Sequence, residues 1–116
     1  MISKTHRFHG HHSLDHVYRH GRMLRGPYCN IRVGSNPQLD SYRAAVVVSA
    51  KVAPKAVTRN RIRRRIFEII RSLETQLIPG SEIIINVHNP DINQLSPTQL
   101  LDLLTKLLAQ ANAVNL

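Results

Sequence analysis

The spacing of apolar residues divides the chain into short elements of alternating type. Leu14, Val17 and Tyr18 fall at helical spacing. Ser13 before them and Gly21 after them are residue types that cap the two ends of a helix. Met23 and Leu24 predict a short strand, which Gly26-Pro27 breaks. From Tyr28 to Val33 the pattern alternates, with Cys29, Ile31 and Val33 on one side and Asn30 and Arg32 on the other. That is the pattern of a strand buried on one face. Gly34-Ser35-Asn36-Pro37 is turn chemistry, and the loop runs to about Ser41. Arg43 to Ala50 is apolar on both faces, which predicts a central strand, and Pro54 bars its continuation.

From about Val57 to Leu77 the period becomes helical. With Ile66 at zero and 100° per residue, Ile62, Ile69, Ile70, Leu73 and Leu77 lie within about 60° of it, so this stripe faces the sheet. Pro79-Gly80 marks the expected end of this helix. Ile83 to Val87 reads as the next strand, with Asn86 its one polar interruption. For the last helix, Ser96 is an N-cap, Pro97 takes the first helical position and Gln99 completes a capping box. Leu100, Leu101, Leu103, Leu104, Leu107 and Leu108 then form a broad apolar face to about Ala111, read as core rather than as a dimer seam. The chain shows no internal repeat or low-complexity segment. The order helix, two or three strands, helix, strand, helix implies an α+β domain, a mixed four-stranded sheet with three helices packed on it.

Composition narrows what such a domain does. At 116 residues and 42% hydrophobic, the chain is one domain able to bury a core. No apolar run approaches the ~18 residues of a membrane span. The start, Met-Ile-Ser-Lys-Thr-His-Arg, leads into no apolar segment, so no secretory signal is expected. A single cysteine, Cys29, excludes an internal disulfide framework and fits a reducing cytosol. The net charge of +9 is unevenly divided. Residues 1–71 hold 15 basic residues against three acids, a net of +12, and residues 72–116 hold one against four, a net of −3. Such segregation points to a polyanion, nucleic acid first.

The cations concentrate on the central helix, within KVAPKAVTRNRIRRRIFEIIR from Lys51 to Arg71. Asn60, Arg61, Arg64, Glu68 and Arg71 lie opposite its apolar stripe, and Arg63 and Arg65 lie on the two borders. Arg59 points to the buried side, at the helix start where the stripe has run out. Six cationic residues occur from Lys55 to Arg65, with no acid before Glu68. Cations at a helix N-terminus oppose the macrodipole, and solvated faces normally interleave Glu with Lys. A bound polyanion removes the conflict, and the N-terminal amides add donors for phosphate.

Thr58-Arg59-Asn60-Arg61-Ile62-Arg63-Arg64-Arg65, preceded by Lys51 and Lys55-Ala56-Val57, resembles the RNR motif of bacterial ribonuclease P proteins. Arg7-Phe8, the segment LDHVYRHG from Leu14 to Gly21, Gly26-Pro27-Tyr28, VVVSAK, Pro79-Gly80 before IIINV, and the leucine-rich last helix follow in that family's order. The resemblance covers about residues 6–112, the expected ordered core of a domain spanning 1–116. It implies a cytoplasmic ribonucleoprotein subunit with a left-handed strand-helix-strand crossover. The partners it implies are the catalytic RNA and precursor tRNA, with no membrane or DNA partner. In that family the RNA, with bound magnesium, removes the 5′ leader of precursor tRNA, and the protein supplies no catalytic residue and no metal ligand.

By the same resemblance, Arg59, Asn60, Arg61, Arg63, Arg64, Arg65, Lys51 and Lys55 are expected to contact the catalytic RNA. Leu14, Tyr18, Asn30 and Arg32 are expected to line a cleft for the single-stranded leader. This chain departs from the family at several of these positions. Leu14 stands where aromatics are frequent, Arg32 where a strand tyrosine is usual, Arg63 and Ala50 where lysines are common, and Ala53-Pro54 where a glycine is common. Stacking on aromatics holds single strands at about 1–3 kcal/mol per base. A cleft with Tyr18 as its one clearly placed aromatic is therefore expected to depend more on charge, with Arg32 under a base.

Other features carry less. His6, His9, His11, His12, His16 and His20 cluster in sequence, and His12, His16 and His20 recur every four residues. With no cysteine nearby and Asp15 the only carboxylate among them, an RNA-facing surface is preferred to a metal site. Cys29 alternates into the buried face, and Ser49 lacks the glycine-flanked elbow of hydrolases. Two other functions remain open: a general RNA- or ribosome-binding α+β protein, and a protein-only metal-dependent nuclease.

Overall fold

In a computed structural model describing residues 6, 8, 10–111 and 113, the elements run in the order helix, three strands, helix, strand, helix. They are α1 (Gly10–His20), β1 (Arg22–Arg25), β2 (Cys29–Ser35), β3 (Arg43–Val48), α2 (Ala56–Ser72), β4 (Ser81–Val87) and α3 (Pro97–Gln110). Short 3-10 turns occupy Glu74–Gln76 and Pro90–Gln94. Arg7, His9 and the side chains of His11, His12, Ser13 and His20 lie outside the described residues. The sheet order is β1-β2-β4-β3, with β3 and β4 parallel and the other two pairs antiparallel. The fold is the α+β arrangement of four mixed strands and three helices that the periodicity predicts.

Alternation along the strands creates two unlike faces. Cys29 and Ile31 on β2, Ala44, Val46 and Val48 on β3, and Ile83, Ile85 and Val87 on β4 turn to one core. Ile62, Ile66, Phe67 and Ile70 of α2 close it, together with Leu100, Leu104, Leu107 and Leu108 of α3. The capping box of α3 is formed: Ser96 Oγ accepts from the Gln99 N–H at 3.1 Å, and Gln99 Oε1 accepts from the Ser96 N–H at 2.9 Å.

The opposite face carries Asn30, Arg32 and Gly34 of β2, Glu82, Ile84 and Asn86 of β4, and Arg43, Ala45 and Val47 of β3. Helix α1 covers part of it through Val17, which is fully buried. A Cβ at Gly34 would lie 3.4 Å from Val17 Cγ2, an ordinary contact distance, so the helix rests directly on the strand at this point.

Three boundaries differ from the sequence expectation. Helix α1 starts at Gly10, which places Ser13 inside it rather than at its N-cap. Strand β3 is an edge strand, and β4 takes the central place. Alternation reports what lies above and below a sheet, whereas backbone pairing decides centre and edge. The residues on β3 are apolar on both sides because Ala44, Val46 and Val48 enter the core while Ala45 and Val47 join the other face. Helix α2 ends at Ser72, short of Pro79-Gly80. Leu73 and Leu77 stay buried because the following 3-10 turn keeps them on the core side, with the Leu77 N–H donating to Leu73 O at 3.1 Å.

That turn is held from outside by Tyr42, whose hydroxyl donates to Glu74 at 2.7 Å. Burial and the Glu74 carboxylate push the Tyr42 phenol well above its usual range. His6 stacks on the Tyr42 ring with centroids 4.1 Å apart, and its Nδ1 bonds to the Tyr42 carbonyl at 3.0 Å.

Gly80 leads into β4 with φ +87°, and a Cβ there would lie 2.8 Å from the Asn36 carbonyl oxygen. The Gly80 carbonyl accepts from the Asn36 N–H, so the backbones cannot separate freely. Gly80→Ala is therefore expected to cost about 2 kcal/mol of stability. Urea unfolding of the two proteins measures it, and an unchanged midpoint would refute it.

Candidate nucleic-acid interface

The basic helix α2 starts at Ala56 after the N-cap Lys55, whose side chain makes no capping bond, and its first turn holds no acid. Lys51, in the turn after β3, Lys55, Asn60, Arg61 and Arg64 are exposed, and Arg59, Arg63 and Arg65 are half-buried. The arginines therefore divide into two groups. Arg59 Nη1 donates to the carbonyls of Ala53 and Pro54 at 2.8 and 2.9 Å, fastening the loop that enters the helix. Arg65 donates from Nη1 to Asn93 O at 2.7 Å and from Nη2 to Leu95 O, tying α2 to the 3-10 turn before α3. Arg63 donates to the Asn60 carboxamide oxygen.

Arg61 and Arg64 point outward. Arg64 shares a cleft of about 420 Å³ with Val57, Asn60, Arg63 and Phe67, and Val57 is 76% exposed at its rim. The outer face of the helix is thus cationic with an apolar flank.

The second group of expected residues lies on the opposite face of the sheet. Leu14 is half-buried, and Tyr18 leaves α1 41% exposed. The Tyr18 hydroxyl donates to Asn86 Oδ1 at 3.2 Å, and Arg32 Cζ lies 5.0 Å from its ring centroid, a cation–π contact. Asn30 pairs with Asn86 across β2 and β4, and Val47 pairs with Asn86 across β3 and β4. Tyr18, Arg32 and Asn30 therefore converge on one groove, whose floor also holds Asn86 and the 41%-exposed Val47. The periodicity missed these two as site residues. The available signals were the lone polar residue in IIINV and the odd-numbered positions of RAAVVV.

The groove and the basic helix occupy opposite faces but approach each other at one end of the sheet. Val47 is four residues before Lys51, which limits their separation to about 14 Å. The N-terminus of α2 follows directly after that loop.

Farther along the same sheet face, Glu82 is 1% exposed beside Arg43 in the register, and its Oε1 and Arg43 Nε are buried without a hydrogen-bond partner among the described residues. Burial raises the Glu82 carboxyl above its ordinary pKa, against the opposing fields of Arg43 and His16. Burial likewise pushes the Cys29 thiol up to about 11, so it stays a core thiol. Among the described residues no three His, Cys, Asp or Glu side chains are grouped to hold a metal ion. No described helix is long and apolar enough to cross a membrane.

Two outcomes follow for stability. Arg65→Ala leaves two inward carbonyls without their charged donor and should cost about 2 kcal/mol, whereas Arg61→Ala should change stability by less than about 0.5 kcal/mol. Equal unfolding midpoints for the two variants would contradict the division of the arginines. For Glu82, the native state holds its proton more tightly than the unfolded chain. Stability therefore falls as pH rises from the ordinary carboxylate pKa of 4.5 through the raised value. Glu82→Gln should remove that decline and be the more stable protein at neutral pH, as thermal melts across pH would read. A native protein with the steeper acid-side loss would show the opposite sign.

Comparison with known proteins places the chain in a family. Residues 2–112 match the family described as Ribonuclease P. A ribonuclease P protein component from Synechococcus elongatus is 31% identical over 98% of this chain and 96% of its own. One from a Pseudanabaena species is 38% identical, the alignment spanning 61% of each chain. Among solved structures, the Staphylococcus aureus RNase P protein has a TM-score of 0.83 at 23% identity, covering 95% of this chain and 98% of its own. The Thermotoga maritima protein has a TM-score of 0.74 at 22% identity, covering 84% and 89%. With a family match across nearly its whole length and a relative aligned end to end, this chain belongs to the ribonuclease P protein family.

Proposed function

We propose that the chain is the protein subunit of a cytoplasmic ribonuclease P, binding a catalytic RNA through α2 and the 5′ leader of precursor tRNA in the groove of Tyr18, Arg32, Asn30 and Asn86. The observation that supports this reading is that the exposed cationic side of α2 and the Tyr18–Arg32 pair lie on opposite faces of one sheet, linked by the short loop through Lys51. A duplex-rich RNA is met by charge and shape, which Arg61, Arg64, Lys51 and Lys55 supply with the free amides of the α2 N-terminus. A single strand needs a groove with a stacking surface, and Tyr18 with its Arg32 partner supplies one. A general RNA- or ribosome-binding protein would need only the first surface.

In this reading magnesium belongs with the RNA and the substrate phosphates, and no step of the hydrolysis is assigned to a residue of this chain. The protein's contribution is differential binding: contacts to a leader are present with the precursor and absent with mature tRNA, so they favour substrate over product.

Reconstitution with the cognate catalytic RNA tests the reading. The chain should promote precursor cleavage at low magnesium, and Arg61→Ala with Arg64→Ala should weaken RNA binding and flatten its dependence on salt by about two phosphate contacts. Failure to promote cleavage would refute the assignment, and an unchanged salt slope would remove α2 as the RNA surface. Cleavage by the protein alone would instead establish a protein nuclease.

A further inference from the structure

The sheet has two edge strands, and they are protected to different degrees. Strand β1 has only four residues, with the exposed Arg22 and Arg25 at its ends. Short length and charge are the features that keep an edge from pairing with another chain. Strand β3 has neither. It runs for six residues, Arg43-Ala44-Ala45-Val46-Val47-Val48, with no charge after Arg43, no proline and an uninterrupted register with β4. Among the described residues β3 pairs only with β4, so half of its backbone N–H and C=O groups point away from the sheet. His6 bonds to the backbone at the Tyr42 carbonyl, before the strand begins.

Helix α2, packed on β3, overhangs this edge. One flank of the helix faces α3, where Arg65 meets Asn93 and Leu95, and Ile69 shares a cleft with Pro97 and Leu100. At 100° per residue Asn60, Arg63 and Phe67 fall on the other flank, on the β3 side, with Val57 at its outer rim. These residues line the cleft of about 420 Å³, a size that accepts side chains of a ligand. A strand laid beside β3 would turn alternate side chains to the side of Ala44, Val46 and Val48, toward this flank. Cations surround the edge, with Arg43 at its start, Lys51 past its end, and Arg63 and Arg64 on the helix above.

These features select among occupants. RNA could meet the cations, but it does not offer donors and acceptors alternating at strand spacing. A second copy of this chain matches the backbone, yet it brings the same cations to the contact and carries the same net charge of +9. An acidic polypeptide in extended conformation satisfies both the backbone and the charge.

We propose that the β3 edge and the Val57–Phe67 flank of α2 form a docking site for an extended acidic segment of a partner protein, which adds to the sheet as a further strand with alternate apolar side chains turned toward α2. The proposal goes beyond the RNA reading and does not depend on it, because the backbone edge of β3 has no part in that reading.

The test uses the full chain and a short, end-blocked peptide alternating valine and glutamate. The peptide should bind, slow amide hydrogen exchange in β3 and leave exchange in β1 unchanged. N-methylating one set of alternate peptide residues should abolish binding and N-methylating the other set should not, because an added strand turns only every second N–H toward its neighbour. Replacing the glutamates with lysines should weaken binding about ten-fold or more. Val57→Glu places an acid at the rim of the cleft and should weaken binding about ten-fold. Its unfolding midpoint should be unchanged, since Val57 is 76% exposed.

No binding of the valine–glutamate peptide overturns the proposal, as does equal binding of the two N-methylated forms, which would reduce the contact to charge. Protection of the β3 amides by an RNA oligonucleotide, or by raising the concentration of the protein alone, would assign the edge to RNA or to a second copy and overturn it equally. Each of these results leaves reconstitution with the catalytic RNA as the separate measure of the functional reading.

Discussion

Two parallel neighbouring strands cannot be joined by a tight turn, and in this domain the connection between β3 and β4 is the arginine helix itself. That constraint shapes the rest of the molecule. To cross back over the sheet, α2 must bury one face along its length, and Ile62, Ile66, Phe67 and Ile70 meet that demand. The face left over is free to be cationic because the core does not use it. Its first turn and its middle are also fastened by side chains, by Arg59 on the carbonyls of Ala53 and Pro54 and by Arg65 on those of Asn93 and Leu95. A helix held this way presents its outer arginines in a set geometry, so little ordering remains to be done when a polyanion arrives.

The other side of the sheet follows from how little is left to cover it. Once α2 and α3 have sealed one face, only α1 remains, and its buried anchor is Val17 over Gly34. One helix covers the lower part of β2 and β4 and leaves Asn30, Asn86 and Val47 accessible along one row. The groove is thus the uncovered remainder of a two-faced sheet, with Tyr18 reaching across from the helix to define its wall. Because β3 ends beside this row and continues through Lys51 to α2, one short loop links the row to the cations of the helix.

What was legible in the residues was whatever repeats with a period. The stripe of α2, the alternation of β2, and Ser96 and Gln99 of the capping box each encode their structure locally. The edge position of β3 was not legible, because it depends on which backbone pairs with β4, and side-chain alternation carries no such information. The same holds for the site. Tyr18 and Arg32 were reachable from resemblance and alternation, but Asn86 bonds to Tyr18 from 68 residues away in sequence. Arg65 falls at the border of the helical stripe, yet only the folded chain brings Asn93 and Leu95 to it, so its inward role could not be separated from the outward role of Arg64.

Arginine rather than lysine on this helix then has a physical reason that covers both roles. The planar fork can donate to two backbone carbonyls from within the fold, as Arg59 does, and can grip a phosphate when it faces out. A lysine would serve as a point charge outside but lacks the planar fork that spans two neighbouring carbonyls. The six cations from Lys55 to Arg65 are consequently not one undivided patch. Arg59 and Arg65 donate to carbonyls of the chain, Arg63 is turned to Asn60, and the outward field is carried by Lys55, Arg61 and Arg64, with Lys51 before them. The mutual repulsion of these groups, with no acid in the first turn of the helix, disfavours the free state. It is offset by the apolar packing beneath, and a bound polyanion would relieve it, which couples the stability of this helix to occupancy of its outer face.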